Sequence, residues 1–428
     1  MSVKAFESAW TELPRAMTRL ADILAIGVAI ALPWSTSLTG ILIALWILAV
    51  LPLTPGWAGT RREVFTPAAS LPILLWALGV VGVLWAHAPW ADRLENAISF
   101  QRLLMIPLLI LYFRRSENGW RVVVAYVASC TVLLALSLTT SLWPDVWRPR
   151  SPGVPVRDQI VQSAEFAMCA FGLGYLALAA WREKKFWHAA ALLALILAFL
   201  GNVMFIATSR TELVVVAILI VAGAGRQWGW TGAAAGVAAL ISLAIVAWTS
   251  SDYLRFRVGH AVWEFQEYRT KNTPTSVGLR VAWWTKSVDL IAEAPLFGHG
   301  TGSIRSLFVH HTPVTPGQGS FQTGNPHNQA LTIAIQIGLV GTAILFAMWF
   351  SQIMLFRGSG LYPWLGFVVV VQNIVGSMFN SHIFDFALGW TYVWGVGVIG
   401  GIVLQATKIQ PTQEATARSS FRSDPRLM

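Results

Sequence analysis

The chain has 428 residues, 55% of them hydrophobic and 12% charged, with 22 tryptophans and a formal net charge of +10. That much apolar surface exceeds what a water-soluble core can bury, so the composition excludes a soluble globular enzyme and points to a multi-pass membrane protein. The basic excess does not indicate nucleic acid, because most Lys and Arg flank apolar runs, where chain orientation and anionic headgroups account for them, and no base-reading module is present.

The first apolar run, Leu20–Thr36, follows Lys4, Arg15 and Arg19 like a signal-peptide core. No small-residue cleavage site separates it from the next run, so it reads as a retained span. Further runs near bilayer-crossing length follow at Leu38–Thr54, Leu71–Ala86, Ser99–Phe113, Val122–Trp143 and Ile160–Trp181. The series continues with Trp187–Ala207, Leu213–Gly225, Gly229–Trp248, Gln329–Phe350, Leu361–Phe379 and Phe386–Leu404. The expected fold is therefore an all-α polytopic membrane protein of about twelve transmembrane helices. Residues 1–250 hold the first nine, 251–328 form a long loop with amphipathic helices, 329–406 hold the last three, and 407–428 form a polar, disordered tail. Cys130 and Cys169 both fall in apolar runs, where a thiol behaves as a small hydrophobe.

Cytoplasmic loops collect Lys and Arg. With both termini inside, the inner connections carry Arg61 and Arg62, Arg114, Arg115 and Arg121, Arg182, Lys184 and Lys185, Arg226, and Arg357. Three outer segments break the rule. A Pro-rich stretch holds Arg148, Arg150 and Arg157, a very short connection holds Arg210, and the long loop holds Arg255, Arg257, Arg269, Lys271, Arg280, Lys286 and Arg305. Cations gathered on that side ask for an anionic substrate.

Arg210 lies in Thr208-Ser209-Arg210-Thr211-Glu212, a polar knot between two apolar helices. Its guanidinium can fork onto phosphate oxygens, or pair with Glu212 or another acid. Arg280 opens an amphipathic stretch with Trp283, Trp284, Val288 and Leu290 that reads as an interfacial helix. Seven of the eight histidines map to the outer side. Among them His327, flanked by Pro326 and Asn328, stands at the N-terminus of an apolar helix, where the helix dipole disfavours imidazolium and suits a neutral base. A capping role is the plainer alternative. The turn Pro295-Leu296-Phe297-Gly298-His299-Gly300-Thr301-Gly302 is glycine-rich but has no Walker lysine, which excludes a nucleotide site. His310-His311 lacks a nearby acidic ligand and no Asp-x-Asp pair is present, so the expected site uses no metal and no cofactor.

From about Arg210 to Gly341 the chain resembles the O-antigen ligase family, within a superfamily that also holds O-antigen polymerases and protein O-oligosaccharyltransferases. The sharpest element is His, then Asn, Ser or Gln, nine residues, Gly, two residues, and Gly, Thr or Tyr; here it reads His327-Asn328, Gly338 and Gly341. Thr208-Ser209-Arg210, Gly278-Leu279-Arg280 with Trp284, and the glycine-rich turn support it. The resemblance implies a GT-C-like glycosyltransferase of the bacterial inner membrane with a periplasmic active site. It would move O-antigen from undecaprenyl diphosphate to lipid A-core, without nucleotide or nucleic acid, among membrane lipids. It further implies that Arg210 and Arg280 bind the diphosphate and that His327 activates the acceptor hydroxyl or orients the reacting groups. Arg148, Arg150 and Arg157 are candidates for contacting acceptor phosphates, or line a solvated loop. A polymerase, a protein-directed transferase and an anionic-lipid transporter are the alternative readings.

Overall fold

The computed structural model describes residues 3–53, 66–143, 145, 151–250, 252–271, 273–311 and 322–422. Among the described residues the named elements are α-helices and two single 3-10 turns, with no strand. In chain order the helices are α1 (Val3–Ala31), α2 (Thr36–Val50), α3 (Pro67–Val81), α4 (Trp90–Gln101), α5 (Met105–Phe113), α6 (Gly119–Leu142), α7 (Gln159–Arg182) and α8 (Phe186–Phe205). They continue with α9 (Arg210–Ser250), α10 (Asp252–Lys271), α11 (Ser276–Glu293), α12 (Ile304–His311), α13 (Gln329–Leu355), α14 (Leu361–Ser377) and α15 (Phe386–Arg422).

Nine helical segments among the described residues are long and apolar enough to cross a membrane, with Leu361–Ser377 a shorter apolar helix beside them. The chain is a multi-pass membrane protein. One of the nine, Arg210–Ser242, covers two runs that the sequence separates, and the backbone shows why. At Trp228 and Gly229 the helix breaks, Gly229 taking φ +67°. A Cβ added to Gly232 would meet the Ala224 carbonyl oxygen, and one added to Gly236 would meet Val221 Cα. Residues so far apart in one helix touch only if the chain doubles back, so α9 is a helical hairpin whose two arms lie glycine to alanine. Of the first sequence-predicted span, Leu20–Thr36, residues 20–31 lie in α1, which is not among the nine.

The apolar surface is distributed as a bilayer requires. Trp187, Trp230 and Phe205 are 88%, 81% and 80% exposed, a loss in water that lipid removes. Inside, the main core gathers Trp46, Phe113, Trp349, Tyr392 and Trp394, with the Trp46 and Trp394 rings edge to face at 5.5 Å. A polar knot joins α6, α7 and α8. Asn202 donates to Ser137 at 2.7 Å, and Gln162 donates to Asn202 at 3.1 Å and to the Gly153 carbonyl at 3.0 Å. It ties the Pro-rich turn ahead of α7 to the bundle.

One expectation changes at the C-terminus. Helix α15 runs on to Arg422, where the polar composition suggested a disordered tail from residue 407. The stretch has no glycine after Gly401, and although it contains Pro411, extending an existing helix is far easier than nucleating one. Residues 423–428 lie outside the described residues.

The feature that positions the site is a second break, in α13. Ile337 and Gly338 leave helical geometry, Gly338 at φ +70° and ψ −172°, a region open in practice only to glycine. The break frees carbonyls and amides that a buried helix cannot leave unpaired. The glycine-rich turn supplies the partners. His299 and Gly300 amides donate to the Ile335 and Gln336 carbonyls at 2.8 Å each, while Leu339 and Val340 amides donate to the Pro295 and Leu296 carbonyls at 2.8 and 3.3 Å. The turn also caps the end of α3, where the Thr301 hydroxyl donates to the Gly79 carbonyl at 2.6 Å. Its glycines thus serve close backbone packing.

A Cβ on Gly338 would stand 2.1 Å from the Leu296 oxygen and 2.5 Å from the Phe297 nitrogen. Gly338→Ala is expected to destabilise the protein by about 1–3 kcal/mol from the backbone conformation alone, with the clash adding to it. A thermal melt in detergent checks this, with Gly40→Ala as control, because a Cβ on Gly40 meets nothing within 4 Å.

Candidate active site

Three of the residues singled out from sequence come together. Helix α11 starts at Thr275, whose hydroxyl accepts the Gly278 amide at 3.1 Å and donates to the Glu264 carbonyl of α10 at 2.8 Å. Gly278 is required there, since a Cβ would lie 2.5 Å from Tyr268 Cβ. This close crossing fixes α11 on α10. Arg280, Trp283 and Trp284 follow at i, i+3 and i+4, and so share one face of the helix. The Trp283 ring stacks on the His327 imidazole, centroids 5.4 Å apart and planes 29° from parallel. Trp284 Nε1 donates to the Pro326 carbonyl at 3.0 Å. One turn of α11 therefore holds both the histidine and the residue before it.

His327 takes a positive φ of 54°, a strained conformation for a residue with a Cβ. Its amide donates to Asn325 Oδ1 at 2.8 Å. Asn328 then caps α13 by accepting the Leu331 amide at 3.1 Å, and its Nδ2 donates to the Met378 carbonyl at 3.0 Å. The capping role that sequence offered as the bland reading of His327 belongs to Asn328. His327 Nδ1 lies 3.0 Å from Asn380 Oδ1. An amide oxygen only accepts, so Nδ1 carries the proton and the Nε2 lone pair is left as a base. Burial lowers the imidazole pKa below its ordinary value, the Asn380 bond opposes this, and the Arg280 charge adds to the lowering. The balance favours the neutral ring.

Arg210 opens α9 directly after Ser209, whose hydroxyl accepts the Glu212 amide at 3.4 Å. Its guanidinium is 3.4 Å from the Glu264 carboxylate, which also faces His260 at 3.7 Å. Sequence suggested Glu212 or a neighbouring acid as partner; the partner is Glu264, on α10, while Glu212 is buried in the bundle. Burial and then the nearby Arg210 cation pull the Arg280 guanidinium below its ordinary value. Among the described residues Arg280 has no carboxylate within ion-pair distance. Among the described residues the site thus holds two cations, of which Arg210 alone is paired with a carboxylate, beside the His327 imidazole.

Other sequence candidates fall elsewhere. Gly338 and Gly341 shape the α13 break, a Cβ on Gly341 meeting the Ile337 side chain at 2.4 Å. Arg148 and Arg150 lie outside the described residues. Arg157, at φ 57°, turns its three guanidinium nitrogens inward, buried and without a hydrogen-bond partner. Its charge acts on Glu165 of α7, whose carboxylate is fully buried and unbonded. Arg157 is therefore not presented to the surface as an open phosphate contact would be. His299 is structural, with Nε2 2.8 Å from the Leu290 carbonyl. Among the described residues no three His, Cys, Asp or Glu side chains group as metal ligands.

Sequence reasoning did not single out Asn380 or Ser381, and it did not foresee the pairing of Asn325 with His327 or of Glu264 with Arg210. Ser381 donates to Asn325 Oδ1 at 2.8 Å and lies 2.9 Å from the Thr332 hydroxyl, so the turn after α14 backs the whole His327 segment. The polar Asn380-Ser381-His382 step between two apolar runs was the available signal. Nothing in the sequence tied it to His327.

Comparison with protein families matches residues 195–346 to the family described as O-antigen ligase. The matched stretch contains Arg210, Glu264, Arg280, His327 and the α13 break. Comparison with curated proteins returned no match.

Proposed function

We propose that the chain, whose residues 195–346 match the family described as O-antigen ligase, is a glycosyltransferase that moves a glycan from undecaprenyl diphosphate onto a lipid A-core sugar. The observation that supports this reading is the shortage of negative charge at Arg210 and Arg280: among the described residues Arg210 pairs with Glu264 and Arg280 with no carboxylate, beside a histidine whose Nδ1 is engaged by Asn380. The basic inner loops favour cytoplasmic termini, an active site on the periplasmic face, and residence in the inner membrane.

In the reaction the acceptor hydroxyl attacks the anomeric carbon while the bond from that carbon to the diphosphate oxygen breaks. The hydroxyl proton passes to His327 Nε2. The electron pair leaves with undecaprenyl diphosphate, and the growing charge is met by Arg210 and Arg280, whose contacts strengthen as the bond lengthens. The donor arrives activated, so neither nucleotide nor metal is needed. Attack opposite the leaving group inverts the anomeric configuration.

The test is to incubate purified protein with undecaprenyl-diphosphate-linked glycan and lipid A-core in excess chelator and follow the acceptor by gel shift. A slower lipid A-core band supports the reading. Longer donor-linked glycan with unchanged lipid A-core would make the chain a polymerase, and glycan on a supplied protein acceptor alone would make it a protein-directed transferase.

A further inference from the structure

A polar cleft of about 330 Å³ opens beside the His327 segment, within the range of small-ligand sites, ~300–1,000 Å³. One wall is α4, which presents Asp92, Glu95, Asn96 and Ser99; the other holds Arg305 of α12 and ends on Asn325. The four α4 positions follow i, i+3, i+4, i+7 and so form a single helical face. Asn325 joins the cleft to the site, since its Oδ1 accepts the His327 amide at 2.8 Å.

The walls are rigidly placed. Arg93 Nε donates to the Ala88 carbonyl at 2.8 Å, fixing the start of α4. Gly302 sits so close to α4 that a Cβ would lie 2.7 Å from the Asp92 oxygen, and its amide donates to Gln336 Oε1 at 2.7 Å. The glycine-rich turn that braces the α13 break therefore also sets α4 against α12.

Charge decides what the cleft takes. Arg305 faces Asp92 at 3.8 Å, which leaves the exposed Glu95 without a cation among the described residues. A phosphate or diphosphate is repelled there and belongs at Arg210 and Arg280. Two carboxylates, an amide and a hydroxyl suit a neutral ring bearing several hydroxyls, which donates to the first and exchanges hydrogen bonds with the others. A sugar joined directly to a diphosphate is a poor occupant of an acidic cleft, whereas the accepting sugar must bring a hydroxyl to His327.

We propose that this cleft is the subsite for the accepting sugar, a neutral pyranose whose hydroxyls are bound by Glu95, Asn96 and Ser99 next to Asn325. The proposal rests on the glycosyl-transfer reading, and the test separates the two. Initial rates are measured with acceptor and donor varied in turn, for the wild type, Glu95→Gln and Asn96→Leu. In parallel, saturation-transfer NMR follows the lipid-free acceptor saccharide bound to the same proteins. Glu95 is exposed and Gln keeps its shape, so the melting temperature is expected to hold. The acceptor KM is expected to rise roughly two- to tenfold for each lost hydrogen bond, with donor KM unchanged and the saccharide signal weakened. An unchanged acceptor KM in both variants overturns the subsite, and a rise in donor KM alone overturns its assignment to the acceptor. If the wild type transfers nothing yet binds the saccharide, and Glu95→Gln weakens that binding, the transfer reading fails while the sugar site stands.

Discussion

Substituting His327 with alanine is expected to cut glycan transfer by roughly 10²–10⁴-fold, the usual contribution of a positioned general base, while the lipid-linked donor still binds. The expectation follows from how completely the ring is positioned. Trp283 stacks on it, Asn380 fixes its tautomer, and Asn325 holds its amide. A base works only when deprotonated, and burial with the Arg280 charge lowers this imidazole below 6.5. Wild-type activity is therefore expected to be flat through neutral pH and to fall only on the acid side, below that value. A pH–rate profile checks the limb. Because Asn328 caps α13, a structural role for His327 would show as a lower melting temperature in His327→Ala; little change is expected.

The second large effect belongs to Arg280. Removing one donor to a developing oxyanion typically costs about 10²–10³ in rate, or about 2.7–4 kcal/mol, and Arg280→Ala is expected to fall in that range. Arg280→Lys should recover little, since an ammonium does not reproduce the planar fork on two phosphate oxygens. The variant carries a second signature. Arg280 contributes to the lowering of the His327 pKa, so its loss raises that pKa, and the acid limb of the residual activity moves to higher pH. A merely structural arginine would lower the rate without moving the limb. Arg210 should behave differently. It is already engaged with Glu264 at 3.4 Å, so the diphosphate has to compete with a carboxylate for it.

The sequence made the membrane architecture legible because the bilayer imposes a coarse rule: runs of about 20 apolar residues, with cations at their ends. Even the tight hairpin within α9 could be read, from Arg226 and the glycines around it. Individual residues of the candidate site were legible where a charge stood in the wrong place, as with Arg210, or where punctuation met an apolar run, as with His327. What the sequence concealed is pairing at a distance. Asn380 reaches His327 and Glu264 reaches Arg210 only because helices far apart in the chain pack together, and neither has a local pattern that marks it. The glycine-rich turn shows the same limit. Its glycines read as generic turn residues, and their use became visible only against the broken backbone of α13. The buried Glu165 escaped notice because one acid barely lowers the hydropathy of a span. Arg157 reads as a surface cation in its polar stretch, yet it points inward to that bundle.

The most direct test of the mechanism is the configuration of the new linkage. Product made from a donor of known anomeric configuration is isolated, and the one-bond carbon–hydrogen coupling at the transferred anomeric carbon is read by NMR. Inversion is the result required by a single displacement at an arginine-bound diphosphate with His327 as the base. Retention would contradict it, because it demands a covalent glycosyl-enzyme, with a carboxylate such as Glu264 acting as nucleophile instead of as the partner of Arg210.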